Sequence, residues 1–121
     1  MSINKILVVD DSDTELSRMK NIVSNTGCIV LTAKNGAEAV DIARSEKPDI
    51  IFMDIIMPDM DGYEATRRLN NDSATRDIPI IFVSSKGQKA DKLWAQMQGG
   101  KGYVTKPYTP EKITEQIKAF N

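Results

Sequence analysis

The sequence predicts an α/β fold in which five parallel strands form one sheet with helices on both faces. Short apolar, partly β-branched runs recur at Lys5–Val9, Ile29–Ala33, Ile50–Met53, Ile80–Val83 and Gly102–Thr105. A stretch of helical periodicity follows each run, and no two runs are joined by a hairpin turn alone. Strands that alternate with helices are connected by right-handed crossovers, and these place the strands parallel. The 121 residues suit one domain spanning 1–121, long enough to bury a core without disulfide or metal staples.

The first strand stops at Asp10-Asp11, and Ser12 or Asp13 caps the helix that follows. Leu16, Met19 and Val23 recur in that helix at its own period, and Gly27 is its expected left-handed C-cap. After the second strand, Asn35-Gly36 marks a turn. A helix over Ala37–Glu46 then presents Ala37, Val40 and Ala43 as a small-residue face, and Lys47-Pro48 stops it. The third strand is bounded by Pro48 and by the Pro58/Asp61-Gly62 cluster; Tyr63–Asn70 is helical, with Ala65 and Leu69 inward. Ile78-Pro79 introduces the fourth strand, which ends at Ser84-Ser85. The helix Ala90–Gln98 carries Ala90, Leu93, Trp94 and Met97. Adjacent Leu93 and Trp94 cannot both point straight inward, so Trp94 belongs either to the core or to a contact surface. Thr109-Pro110-Glu111 reads as an N-cap, an N1 proline and an acidic first turn, before a last helix presenting Ile113, Ile117 and Phe120.

Composition excludes several function classes. Apolar residues are 40% and charged residues 27%, and the net charge of −1 supplies no basic field for nucleic acid or anionic lipid. No apolar run approaches the roughly 20 residues of a membrane span, and the segment after Met1 is too short for a signal peptide. A cytoplasmic protein without membrane insertion is expected. The single cysteine, Cys28, forms no internal disulfide and reads as a small buried residue. There is no histidine, so the commonest general base and metal ligand is missing.

The polar residues that follow the strands carry the chemistry: Asp10 and Asp11, then Asp54, then Ser84, then Lys106. In a parallel sheet these positions share one edge, where ligands of open α/β sheets bind. If the first and third strands are neighbours, as in the order 2-1-3-4-5, three carboxylates meet in one crevice. They repel unless protonated or compensated, and oxygen ligands with room for water suit Mg²⁺. Lys106 and Ser84 add a cation and a hydroxyl, a combination suited to phosphoryl oxygens. A carboxylate can be the nucleophile itself, and Asp54 is the best candidate, because Asp10 and Asp11 are placed to hold the metal. Each residue alone has a plainer explanation: capping for Asp10-Asp11, a solvated turn for Lys106-Pro107, core for Tyr103. The weight lies in their combination.

Asp10-Asp11, Asp54-x-x-x-Pro58-x-x-Asp61-Gly62, Ser84, Tyr103 and Lys106-Pro107 together resemble the receiver domain of two-component response regulators, over the whole chain. The pattern is most similar to stand-alone receivers of the CheY class, and KADKLWAQMQGGKGYVTKP resembles receivers of type IV pilus (twitching) systems. The resemblance implies a doubly wound, flavodoxin-like sheet of order 2-1-3-4-5. It implies that Asp54 accepts a phosphoryl group from a CheA-like histidine kinase, in chemotaxis or pilus control. Asp11, Asp54, Asp10 through water and the backbone carbonyl of Ile56 would hold Mg²⁺. Lys106 and Ser84 would grip the phosphoryl oxygens, and Tyr103 would turn inward as Ser84 moves. Such a protein is a switch that assists its own phosphotransfer and dephosphorylation rather than an enzyme with a separate substrate. Lacking histidine, it needs its donor in trans.

Gly100 stands where many receivers have alanine and is expected to loosen the turn before the fifth strand; Tyr108 stands where phenylalanine is frequent. Ile56 and Lys86 occupy positions that influence dephosphorylation in such domains, and apolar Ile56 offers water no hydrogen bond, which implies slow hydrolysis. With no DNA-binding module read after Phe120-Asn121, output is expected through protein contact on the fourth helix, fifth strand and fifth helix, toward a motor or pilus protein, from a monomer or a weak phosphorylation-dependent dimer. A phosphate sink and a phosphorylation-independent binding module are the alternatives within this class. A haloacid-dehalogenase-like phosphatase needs threonine or valine where Glu15 stands, and a flavin carrier needs a Ser/Thr-rich loop where Asp10-Asp11 stand.

Overall fold

The computed structural model describes residues 2–121. Strands and helices alternate as β1 (Lys5–Val9), α1 (Asp13–Ser24), β2 (Ile29–Ala33), α2 (Gly36–Glu46), β3 (Ile50–Asp54), α3 (Gly62–Asn70), β4 (Ile80–Ser84), α4 (Lys89–Met97), β5 (Gly102–Thr105) and α5 (Pro110–Ala119). The sheet has the order β2-β1-β3-β4-β5, with every neighbouring pair parallel.

Side-chain alternation along the strands divides the core in two. Leu7, Val9, Ile51, Met53 and Phe82 face one way and pack with Ala39, Ala43, Ala65, Leu69 and Ala95 of α2, α3 and α4. Ile6, Val8, Ile50, Phe52, Ile81 and Val83 face the other way and pack with Leu16, Met19 and Val23 of α1 and Ile113 and Ile117 of α5. The three inner strands are therefore buried throughout apart from Lys5, whereas β2 at the edge is mostly half-exposed.

Helix starts follow the polar caps in the sequence. Ser12, Asn35 and Asp61 each accept a hydrogen bond from the backbone N–H three residues on, at Glu15, Glu38 and Glu64. Of the two candidates for the first cap, Ser12 fills the role. Thr109 caps α5 by position without a side-chain bond, and Pro110 opens the helix. Lys47, in the left-handed region with φ 47°, ends α2 against Pro48.

Several expectations are corrected. The inward face of α2 is Gly36, Ala39, Val40 and Ala43, while Ala37 is exposed. Gly36 takes the inward position because Met60 lies against it: a Cβ there would sit 2.6 Å from the Met60 carbonyl oxygen. The left-handed residue Gly27 (φ 85°) lies two places beyond the C-cap of α1, which is Asn25. Cys28 is half-buried, its thiol donating to the Ile3 carbonyl oxygen. In α4, where the sequence leaves the direction of Trp94 open, the inward residue is Ala95, and Leu93, Trp94 and Met97 are 57%, 51% and 67% exposed. Residues two apart on a helix differ by about 200°, so an inward Ala95 turns Leu93 and Met97 to solvent.

Gly100 leaves no slack in its turn. It is buried, its N–H donates to the Ala95 carbonyl oxygen at 3.0 Å, and the Phe82 ring fills the space a side chain would need. Phe82 is fixed in turn by an edge-to-face contact with Tyr63, ring centroids 5.2 Å apart. A Cβ at Gly100 would lie 2.7 Å from two ring carbons of Phe82. Gly100→Ala is therefore expected to destabilise the fold by about 1–3 kcal/mol in urea unfolding. The cost should fall below about 1 kcal/mol in a Phe82→Leu background, where the ring is gone; an equal cost in both backgrounds contradicts this account.

Candidate functional site

The strand register brings the predicted residues together. Val9 pairs with Met53, so Asp10 and Asp54 leave adjacent strands at the same level. Asp54 pairs with Val83 and Ser84 with Thr105, which sets Ser84 one step beyond Asp54 and Lys106 one step beyond Ser84 along the same edge. Asp10, Asp11 and Asp54 each offer a carboxylate oxygen within 4.8 Å of the others. Asp10 and Asp54 are buried, each 8% exposed, whereas Asp11 is exposed.

Local hydrogen bonds fix the carboxylates. Asp10 Oδ1 accepts from the Ser12 N–H at 3.0 Å, which bends the chain from β1 into α1. Asp54 Oδ1 accepts from the Ile55 N–H at 3.0 Å. Gly62, at the start of α3, rests on the backbone of Asp54: its N–H donates to Ile55 O at 2.8 Å, and a Cβ on it would collide with the Asp54 carbonyl. The glycine after Asp61 thus sets the height of the loop over Asp54.

Lys106 supplies the opposing charge. Its Nζ lies 3.0 Å from Asp10 Oδ2 and 3.5 Å from Asp54 Oδ1. Burial disfavours this ammonium, yet the hydrogen bond to Asp10 and the charges of Asp54 and Asp10 hold its pKa above the ordinary value. Asp54 shifts the other way from most paired carboxylates. Burial and then the charge of Asp10 push it up to about 6, against the pull of Lys106 and the Ile55 N–H. One ammonium among three carboxylates leaves the crevice negative. An all-oxygen donor set with an excess of negative charge fits a hard divalent cation such as Mg²⁺.

Ser84 is 2% exposed and joins the crevice to the next loop. Its Oγ accepts from the Lys86 N–H at 3.2 Å, and the Lys86 carbonyl accepts from the Tyr103 hydroxyl. Tyr103 is half-buried, and burial pushes its phenol pKa up. Ile56 lies two residues beyond Asp54 with its side chain 60% exposed at the rim. Two contacts here leave no sign in the sequence. Lys86 contributes its backbone carbonyl, which no side-chain pattern reports. Arg18 reaches Tyr108, 90 positions away along the chain, where only the tertiary fold brings them together.

The sign of the Asp54 shift has a measurable consequence. A carboxyl group whose folded pKa lies above its unfolded value favours the fold when protonated, below about pH 3.8, and that contribution is lost as pH rises through about 6. Without divalent metal, Asp54→Asn is expected to raise the unfolding midpoint at pH 7, with the gain shrinking toward pH 4. Carboxyl-carbon NMR should give an Asp54 midpoint near 6; a midpoint in the ordinary range contradicts the burial argument.

Comparison with known proteins places this geometry. The chain is 44% identical over 115 residues to Protein PilH of Pseudomonas aeruginosa, covering 95% of each chain. It superposes with TM-score 0.92 on the chemotaxis protein CheY4 of Vibrio cholerae, at 27% identity, covering 99% of this chain and 100% of that one. It also superposes with TM-score 0.90 on the receiver domain of the sensor histidine kinase PA1611 of Pseudomonas aeruginosa, at 25% identity over 98% of both chains; that structure has a magnesium ion coordinated in its active site cleft. The sheet order and the alternation of helices are thus those of the CheY-like, flavodoxin-type fold. The model of the response regulator receiver domain matches residues 6–118, and the chain belongs to that family.

Proposed function

We propose that residues 1–121 form one receiver domain in which Asp54 takes a phosphoryl group from a phosphohistidine of a CheA-like kinase, relaying a signal in pilus or chemotaxis control. The observation that carries this reading is the Asp54 carboxylate, buried at the end of β3, with two further carboxylates within 4.8 Å and an ammonium at 3.5 Å. The likeness to PilH supports the pilus side of the assignment.

Asp54 acts as the nucleophile: a carboxylate oxygen bonds to phosphorus as the phosphorus–nitrogen bond to the donor imidazole breaks. With its pKa near 6 it is mostly ionised at neutral pH. Lys106 and Ser84 sit where the phosphoryl oxygens arrive and hold them by charge and by a hydroxyl donor. Asp11, Asp54, the Ile56 carbonyl and, through water, Asp10 would hold Mg²⁺, which when bound neutralises charge on the transferred group. When Ser84 turns to the phosphoryl group it gives up the Lys86 N–H, and Lys86 carries the Tyr103 hydroxyl. The change therefore reaches the face formed by α4, β5 and α5, where Leu93, Trp94 and Met97 are exposed for a motor or pilus protein partner. No helix of the described residues is long and apolar enough to cross a membrane. A cytoplasmic site of action belongs to the same proposal.

Acetyl phosphate with Mg²⁺ is expected to add one phosphoryl mass to the protein, and the increment should vanish in Asp54→Ala. An adduct that survives this substitution overturns the assignment, and turnover of phosphate esters without an adduct points to a phosphatase. Ile56 presents an apolar side chain to water at the rim, so Ile56→Asn should hasten loss of the adduct by about tenfold, by orienting the attacking water. Equal decay of the two proteins removes that role from Ile56.

A further inference from the structure

We infer that Arg18 is a positioning residue for phosphoryl transfer, acting through Tyr108 to hold the loop that carries Lys106. The inference rests on the proposed roles of Asp54 and Lys106. Lys106 opens the short connection between β5 and α5, and its long side chain can meet Asp10 and Asp54 only if that connection is fixed. One end is pinned by the backbone: the Lys106 N–H donates to the Ser84 carbonyl oxygen at 2.8 Å. The other end is pinned by Arg18, whose Nη2 donates to the Tyr108 carbonyl oxygen at 3.2 Å. Among the described residues this is the one side-chain hydrogen bond to the backbone of residues 106–109.

The same guanidinium lies over the Tyr108 ring, 5.2 Å from its centroid, so Arg18 holds both the backbone and the side chain of one residue. Tyr108 is buried in the cluster that contains Leu16, Met19 and Ile113, which locks its ring between α1 and α5. Arg18 belongs to α1, the helix that begins directly after Asp10-Asp11. It therefore ties the element that follows the two carboxylates to the loop that bears their counter-charge. Nothing buries Arg18 itself, for it is exposed on α1, so these two contacts account for its placement.

The test follows phosphorylation of Asp54 by acetyl phosphate and Mg²⁺, with circular dichroism confirming the fold. Arg18→Ala is expected to lower the maximal rate about tenfold while the half-saturating acetyl phosphate concentration stays within about twofold, because Lys106 acts on the transferring group. Arg18→Lys keeps the charge and one donor and should recover most of the rate. Tyr108→Leu removes the ring contact but keeps the carbonyl that Arg18 binds, so it should slow the reaction less than Arg18→Ala does, and Arg18→Ala should cost less in the Tyr108→Leu background than in the wild type. A crystal structure of Arg18→Ala provides a second readout, independent of phosphorylation: Lys106 Nζ should leave hydrogen-bond distance of Asp10. Unchanged rates in Arg18→Ala with Lys106 still on Asp10 overturn the inference alone. Wild-type protein that takes no phosphoryl group overturns the functional reading, and with it any role of Arg18 in transfer.

Discussion

The site depends on one contact between opposite charges: the Lys106 ammonium set against Asp10 and Asp54 at the carboxyl edge of the sheet. Without it, two buried carboxylates would face each other across neighbouring strands with only backbone N–H groups to steady them. Even with it, Asp54 remains easier to protonate than an ordinary carboxylate, since burial and Asp10 outweigh the ammonium. The crevice is therefore compensated only in part. It is poised to take up positive charge, or to exchange the partner of Lys106 for another anion.

The sheet makes this arrangement repeatable. Parallel strands deliver their ends to one edge, and the register fixes the order in which the polar residues stand there. The crossover from β1 to β2 and back past β1 to β3 opens the crevice between Asp10 and Asp54. Glycine does quieter work nearby. Gly62 lets α3 begin directly on the Asp54 backbone, which ties the end of β3 to the loop above it.

The strands and the residues at their ends were legible in the sequence, because buried parallel strands are short apolar runs with abrupt polar stops. Asp10, Asp11, Asp54, Ser84 and Lys106 can be located in this way from the sequence alone. Helix faces were harder. In α2 the pattern of small residues admits two faces, and contact with Met60 selects the one containing Gly36 and Ala39. In α4 the apolar residues at helical spacing leave the direction of Trp94 open between core and surface, and the helix turns Ala95 inward and leaves Leu93, Trp94 and Met97 outside. Period alone reports that a face exists, not which way it points. Contacts through backbone carbonyls, at Lys86 and Tyr108, leave no trace in side-chain identity.

The fit of Phe82 against Gly100 bears on how such a sequence can change. The ring occupies the volume that a side chain at position 100 would fill, and Tyr63 keeps the ring from turning away. The two positions thus act as one unit of substitution: alanine at 100 becomes acceptable only after residue 82 shrinks or shifts. Where related chains carry alanine at this turn, a smaller or displaced neighbour on the fourth strand is the compensating change to look for. A route from one solution to the other passes first through the strand and only then through the turn.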